Sequence, residues 1–163
     1  MAGSITVFGG TGFIGRHLVP LLVRSGEAVR LALRYPDRVQ MTIEPPQAPE
    51  LIQADVLDDV AVGGAVAGTD AVVNLVGILT ETTTQSYRAI HVEAAHRVAL
   101  AAQRHGVTRL IHISALGASP TSPAISDRTK AEGEEAVRAA FPQATIVRPS
   151  LVFGEHDPAG SPP

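Results

Sequence analysis

Ile5-Thr6-Val7-Phe8-Gly9-Gly10-Thr11-Gly12-Phe13-Ile14-Gly15 decides the fold. An apolar run ends in a glycine-dense turn, and the turn opens onto a stretch of helical period, Phe13 to Arg24. Read through Gly9, Gly12 and Gly15, the loop is G-x-x-G-x-x-G; read through Gly10, Gly12 and Gly15, it is G-x-G-x-x-G. A turn tight enough to aim a helix N-terminus at a pyrophosphate needs residues without a Cβ. The free N–H groups and the helix dipole then attract the anion. Gly15 suits helix–strand packing more than ligand contact. The strand before and the helix after are the context that separates a dinucleotide loop from a purely structural turn.

Outward from this loop, short apolar runs alternate with helical segments. The strand-like runs are Ile5–Phe8, Val29–Leu33, Leu51–Ala54, Ala71–Leu75, Leu110–Ile113 and Thr145–Val147. They are mostly apolar on both faces, as parallel strands covered by helices on two sides are. The helical segments are Phe13–Arg24, Asp58–Ala67, Ser86–His105 and Asp127–Ala140. Ser25-Gly26 closes the first as a cap, and Pro20 is expected to kink it or loosen one turn. Gly63-Gly64 weakens the second. Ala94, Ala95, Ala99 and Ala102 in the third permit close packing on a sheet. The expected fold is therefore α/β: a doubly wound parallel sheet of six strands with helices on both faces, a Rossmann arrangement. Three stretches lack either period: Thr42–Glu50, Thr80–Gln85 and Gly117–Ser126. The last two follow strands and should flank a ligand at the carboxyl ends of the sheet. Residues 1–154 read as one nucleotide-binding domain. Residues 155–163 read as a tail, the start of a substrate-binding portion that does not follow.

Composition narrows the classes further. The chain has 163 residues, a net charge of −3 and no Cys. No basic stripe suggests nucleic acid, and disulfides and thiolate metal sites are excluded. His91 and His96 are five apart and do not share a helix face, and His112 lies within a strand, so no metal site is expected. No apolar run approaches the roughly 18 residues of a membrane span, and no targeting segment precedes the first strand. The expected location is cytoplasmic, with peripheral attachment at an inner membrane as the alternative.

The second strand ends in Leu33-Arg34-Tyr35. A ribose-binding Asp or Glu usually stands there in NAD sites. Arg34 can instead pair with a 2′-phosphate through a forked, charge-assisted contact, so NADP(H) is favoured and NAD(H) remains open. A solvated charge at a strand end is the alternative for Arg34. Asp55-Val56 follows the third strand; Asp55 could accept from an adenine amino group or cap the next helix.

With these residues assembled, the chain resembles the extended short-chain dehydrogenase/reductase superfamily. The match rests on the glycine loop, Asp55-Val56, Asn74-Leu75-Val76-Gly77, Ser114, Thr129-Lys130, Arg148-Pro149 and Val152-Phe153-Gly154. Within it, Arg128 to Glu134 and Ala140 to Ser150 resemble the atypical branch containing the NADPH-binding accessory subunit of respiratory complex I and its bacterial relatives. The resemblance implies cofactor contacts at Gly9, Gly10, Thr11, Gly12, Phe13, Ile14, Arg34, Asp55, Val56, Leu75, Val76, Gly77 and Lys130. It implies catalytic positions at Ser114 and Lys130, and complex I subunits as partners. The superfamily pattern is Ser, then Tyr-x-x-x-Lys, and here Ser126 stands in the Tyr place. A phenol of pKa about 10 can be tuned to exchange a proton near neutrality; a serine hydroxyl cannot do so without a base. The expectation is a held cofactor with a structural or assembly role and little turnover. The alternative is an active NAD(P)-dependent oxidoreductase, epimerase or dehydratase acting on a carbonyl or nucleotide-sugar-like substrate.

Overall fold

A computed structural model describes residues 3–39 and 48–154. Six parallel strands form one sheet: β1 Ser4–Phe8, β2 Ala28–Leu33, β3 Glu50–Gln53, β4 Ala71–Asn74, β5 Arg109–Ile113 and β6 Thr145–Val147. Their order is β3-β2-β1-β4-β5-β6, so the chain winds outward from β1 in both directions. The helices are α1 Phe13–Arg24, α2 Asp59–Val66, α3 Ala95–Arg104 and α4 Ile125–Ala140, with a π-helical stretch Arg88–Ala94 running into α3. This is the doubly wound sheet that the alternation of periods predicts.

Strand residues alternate between two cores because successive side chains point to opposite faces. Val7, Leu31 and Val73 pack beneath α1 with Val19 and Val23. Phe8, Val72 and Leu110 pack on the other face with Val62 and Val66 of α2, Ala99 and Ala102 of α3, and Val137 of α4. The two end strands depart from the expected double burial. Leu51 of β3 and Val147 of β6 remain well exposed, because each strand has a neighbour on one side only.

Local signals resolve in different ways. Ser25 and Gly26 close α1 through backbone bonds to Leu21 and Val23, and Glu27 N–H donates to the Leu22 carbonyl, with Gly26 at φ 85°. The helix runs unbroken through Pro20. α2 tolerates its two glycines because the Asp58 carboxylate caps the Val60 and Ala61 amides, and Val62, Ala65 and Val66 are buried. The cap is Asp58 and not Asp55. Asp55 instead accepts from the Leu57 amide at 2.9 Å.

The segment expected as one helix over Ser86–His105 is π-wound in its first part. Gly133 of α4 explains how this winding is accommodated. A Cβ at Gly133 would overlap the His91 carbonyl oxygen, so the two segments approach backbone to backbone. The expected helix start at Asp127 is corrected to Ile125, which places Ser126 inside the first turn of α4. The Pro-rich stretch expected as a loop over Thr42–Glu50 lies largely outside the described residues, and Glu50 itself opens β3. The tail 155–163 lies outside the described residues as well. Among the described residues, no helix is long and apolar enough to cross a membrane.

Candidate nucleotide site

The glycine loop sits at the centre of the sheet's carboxyl edge, between β1 and α1. Gly9 adopts φ 76°, a region that side chains with a Cβ avoid. Its carbonyl accepts from the Gly12 amide at 3.0 Å, closing the turn. A Cβ on Gly9 would lie 3.0 to 3.2 Å from the Leu75 and Val76 backbone. A Cβ on Gly15 would overlap the Gly10 backbone, so Gly15 serves close packing of α1 on the loop. Gly12 caps α1 without a side-chain acceptor, and the first turn carries no acid. The first-turn amides and the positive end of the dipole therefore face outward without a side-chain anion. Thr11 and Gly12 are exposed; Phe13 and Ile14 are half-buried.

Leu75, Val76 and Gly77 continue from β4 and bridge two parts of the edge. On one side they abut Gly9. On the other, a Cβ at Gly77 would lie 3.6 Å from Lys130 Nζ and 4.0 Å from His91 Nε2. The bridge is fixed by Leu75 N–H to Phe8 O at 2.9 Å and by Val76 N–H to Asn74 Oδ1 at 3.1 Å. Burial pushes the Lys130 pKa down, against the pull of Asp127 and Glu134. Among the described residues, its ammonium completes no hydrogen bond.

At the other end of the edge, Arg34 is exposed just past β2. Its guanidinium lies 5.7 Å from the Tyr35 ring centre, and that of Arg38 lies 4.6 Å from it. Two cations thus share one exposed ring. Arg38 was not singled out in the sequence; the signal was its spacing of four from Arg34, across a 3₁₀ turn that begins at Pro36. Asp55 is half-buried, Val56 is buried, and the Val56 carbonyl accepts from Arg97 at 3.1 Å.

Beneath Lys130 lies a buried polar cluster that sequence reading did not assemble. Ile78 N–H donates to His91 Nε2 at 3.3 Å, which leaves Nδ1–H to donate to Thr129 Oγ1 at 3.0 Å. Thr129 in turn donates to the Ser126 carbonyl at 2.9 Å. His112 Nδ1 pairs with the Asn74 amide at 3.2 Å. Burial first, then the nearby Lys130 charge, lowers both histidine pKa values to about 4, so both rings are neutral. Glu134, 1% exposed, takes a two-pronged contact from Arg148 at 2.7 and 2.6 Å and another from Arg138 at 3.3 Å. The Ser114 hydroxyl is buried beside this carboxylate but completes no hydrogen bond. Ser114 and Lys130 thus both lie within reach of the Glu134 charge, one turn along α4 from Lys130.

A family model described as NAD(P)H-binding matches residues 9–160. The chain is 37% identical over 156 residues to the mitochondrial NADH-ubiquinone oxidoreductase 40 kDa subunit of Neurospora crassa, covering 94% of this chain and 42% of that protein. It is 32% identical over 159 residues to a ceramide reductase of Caulobacter vibrioides, covering 95% of this chain and 48% of the reductase. The chain therefore spans less than half the length of these relatives. The Bordetella bronchiseptica enzyme WbmG, solved in complex with NAD, shares the fold with a TM-score of 0.74 at 16% identity, over 91% of this chain and 53% of that one. This chain belongs to the NAD(P)H-binding family and is related in sequence to subunits of NADH-ubiquinone oxidoreductase.

Proposed function

We propose that this chain holds NADP(H) as a resident cofactor, with a structural or assembly role in a larger respiratory assembly and little turnover. The observation that carries this reading is the first turn of α4. Ser126 stands one helical turn before Lys130, and its carbonyl is engaged by Thr129. No phenol stands at that position to deliver a proton toward the cleft. The Neurospora relative, a subunit of a respiratory complex, supports the assembly reading.

In this reading the amides at Gly10 to Ile14 receive the pyrophosphate. Arg34, joined by Arg38 and Tyr35, receives the 2′-phosphate and the adenine ring. Asp55 and Val56 border the adenine, Leu75 to Gly77 support the nicotinamide half, and Lys130 donates to its ribose. Bound NADP(H) would supply charge and buried surface here, and reduction of a carbonyl would further need a proton donor for the oxygen that forms. Nucleotide released from the purified protein should identify as NADP(H) by mass spectrometry, with negligible NADPH oxidation against carbonyl compounds. Turnover by the wild-type protein comparable to ordinary reductases, at about 1–1000 per second, overturns the holding role. Installing Ser126→Tyr is expected to raise the oxidation rate above the wild-type background.

The resemblance to a ceramide reductase favours a second reading, a working reductase in which another group replaces the phenol. The same turnover assay separates the two. Cofactor choice has its own test. Arg34→Leu should weaken NADPH binding by roughly 10- to 100-fold, the loss of a charged hydrogen bond, and leave NADH binding unchanged. Equal weakening of both nucleotides in a calorimetric titration would remove Arg34 from the 2′-phosphate.

A further inference from the structure

We propose that the carboxyl edge beside the cofactor site receives a long-chain apolar ligand with an uncharged oxygen-bearing head, and not a sugar nucleotide. The proposal rests on the reading of that edge as a cofactor site.

Exposed apolar side chains are concentrated on the loops that follow the strands. Leu79 follows β4 and is 87% exposed; Leu116 follows β5 and is 67% exposed; Leu151 and Phe153 follow β6 and are 80% and 61% exposed. Hydrogen bonds join the β5 and β6 loops into a rim and fix Leu79 within its own connection. Leu116 N–H donates to the Pro149 carbonyl at 2.9 Å, and the Tyr87 hydroxyl donates to the Leu79 carbonyl at 2.7 Å. From Phe153 the rim continues into a groove of about 470 Å³ between Val152–Gly154 and the outer face of α1. Phe13, Ile14, Leu18 and Leu21 line it, with His17 packed edge-on against Phe13. At 1.5 Å per residue these positions extend for about 12 Å, a run suited to an alkyl chain.

Charge decides between ligand classes. A sugar nucleotide carries a diphosphate that needs cationic donors. On these loops Arg148 is committed to Glu134, and Arg128 donates to the Ser122 and Pro123 carbonyls. Glu81 and Asp127 add negative charge. Lys130 is the one ammonium at the edge, among the described residues, without a hydrogen bond. A neutral head asks for no more than one donor, an N–H of Lys130 that the nicotinamide ribose leaves over.

Fluorescence polarisation of an NBD-labelled fatty ketone on the NADPH-saturated protein tests the proposal. We expect saturable binding, displacement by methyl undecyl ketone and no displacement by UDP-glucose. Leu116→Glu on the rim and Leu21→Glu in the groove should each weaken the ketone about tenfold, with NADPH affinity unchanged. Displacement by UDP-glucose, absence of ketone binding, or undiminished binding by both variants overturns the proposal. So does a wild-type dimer in solution that either variant dissolves, since the face would then belong to a second copy. Failure of NADPH to bind is read separately and removes the cofactor reading, while the ketone titration of the free protein still reports on the groove.

Discussion

Arg148→Met is expected to destabilise the fold by about 3–5 kcal/mol. The magnitude comes from Glu134 and not from Arg148 itself. The Arg148 side chain is 45% exposed, whereas Glu134 is 1% exposed in the face of α4 turned to the sheet. Burial alone would raise the Glu134 pKa. The hydrogen bonds and charges of Arg148, with Arg138 behind them, outweigh burial and hold it below the ordinary carboxylate range. Methionine fills similar volume but strands the carboxylate with Arg138 at 3.3 Å as its remaining ion partner. The converse change should be milder. Glu134→Gln leaves Arg148 near solvent and keeps the shape, so about 1–2 kcal/mol is expected. A double variant, Arg148→Met with Glu134→Leu, should recover most of the loss, because an apolar pair of similar volume has no charge to desolvate. Urea unfolding at pH 7 measures all three. Equal losses in the two single variants would show that the pair acts through packing and not through a stranded charge.

That pair also marks the limit of what sequence could reveal. The six strands were legible to within a residue because each is a short local apolar run, although that run does not show that β3 and β6 stay largely exposed. The glycine loop was legible because its chemistry sits in seven consecutive residues, Gly9 to Gly15. Arg34 was visible as a missing carboxylate, while Arg38 was hidden by the 3₁₀ turn that brings it back to Tyr35. Glu134 and Arg148 are fourteen residues apart and meet only after β6 pairs with β5. His91 and Thr129 are thirty-eight apart, and their contact depends on the glycine at 133, which lets α4 close onto a π-wound segment. An α period and a π turn are written in nearly the same apolar spacing, so the winding at Arg88–Ala94 left no separate trace. The end of α1 shows the reverse case. Pro20 looks disruptive in isolation, yet the helix continues because Val19 and Val23 are anchored in the core on either side of it.

Acid should loosen this molecule well above the pH at which its carboxylates titrate. His91 and His112 are 3% and 5% exposed and neutral, each with a pKa of about 4 against an unfolded value near 6.5. The folded state therefore binds fewer protons than the unfolded chain in this interval. Stability is fully present above about pH 6.5 and is lost progressively as pH falls toward about 4. A depression of this size corresponds to on the order of 3 kcal/mol for each ring. The two losses do not simply add, because each ring feels the other and both feel Lys130. Geometry gives the same sign: protonating His91 at Nε2 replaces the acceptor that Ile78 N–H uses, and protonating His112 at Nδ1 opposes the Asn74 amide. Urea midpoints should thus drop steadily between pH 7 and pH 4.5. The variant His91→Gln with His112→Gln should be weaker at pH 7 but nearly flat across that interval. A wild-type protein with constant stability from pH 7 to pH 4.5 would mean that these rings are already protonated or solvated in the folded state, and the neutral cluster beneath Lys130 would have to be abandoned.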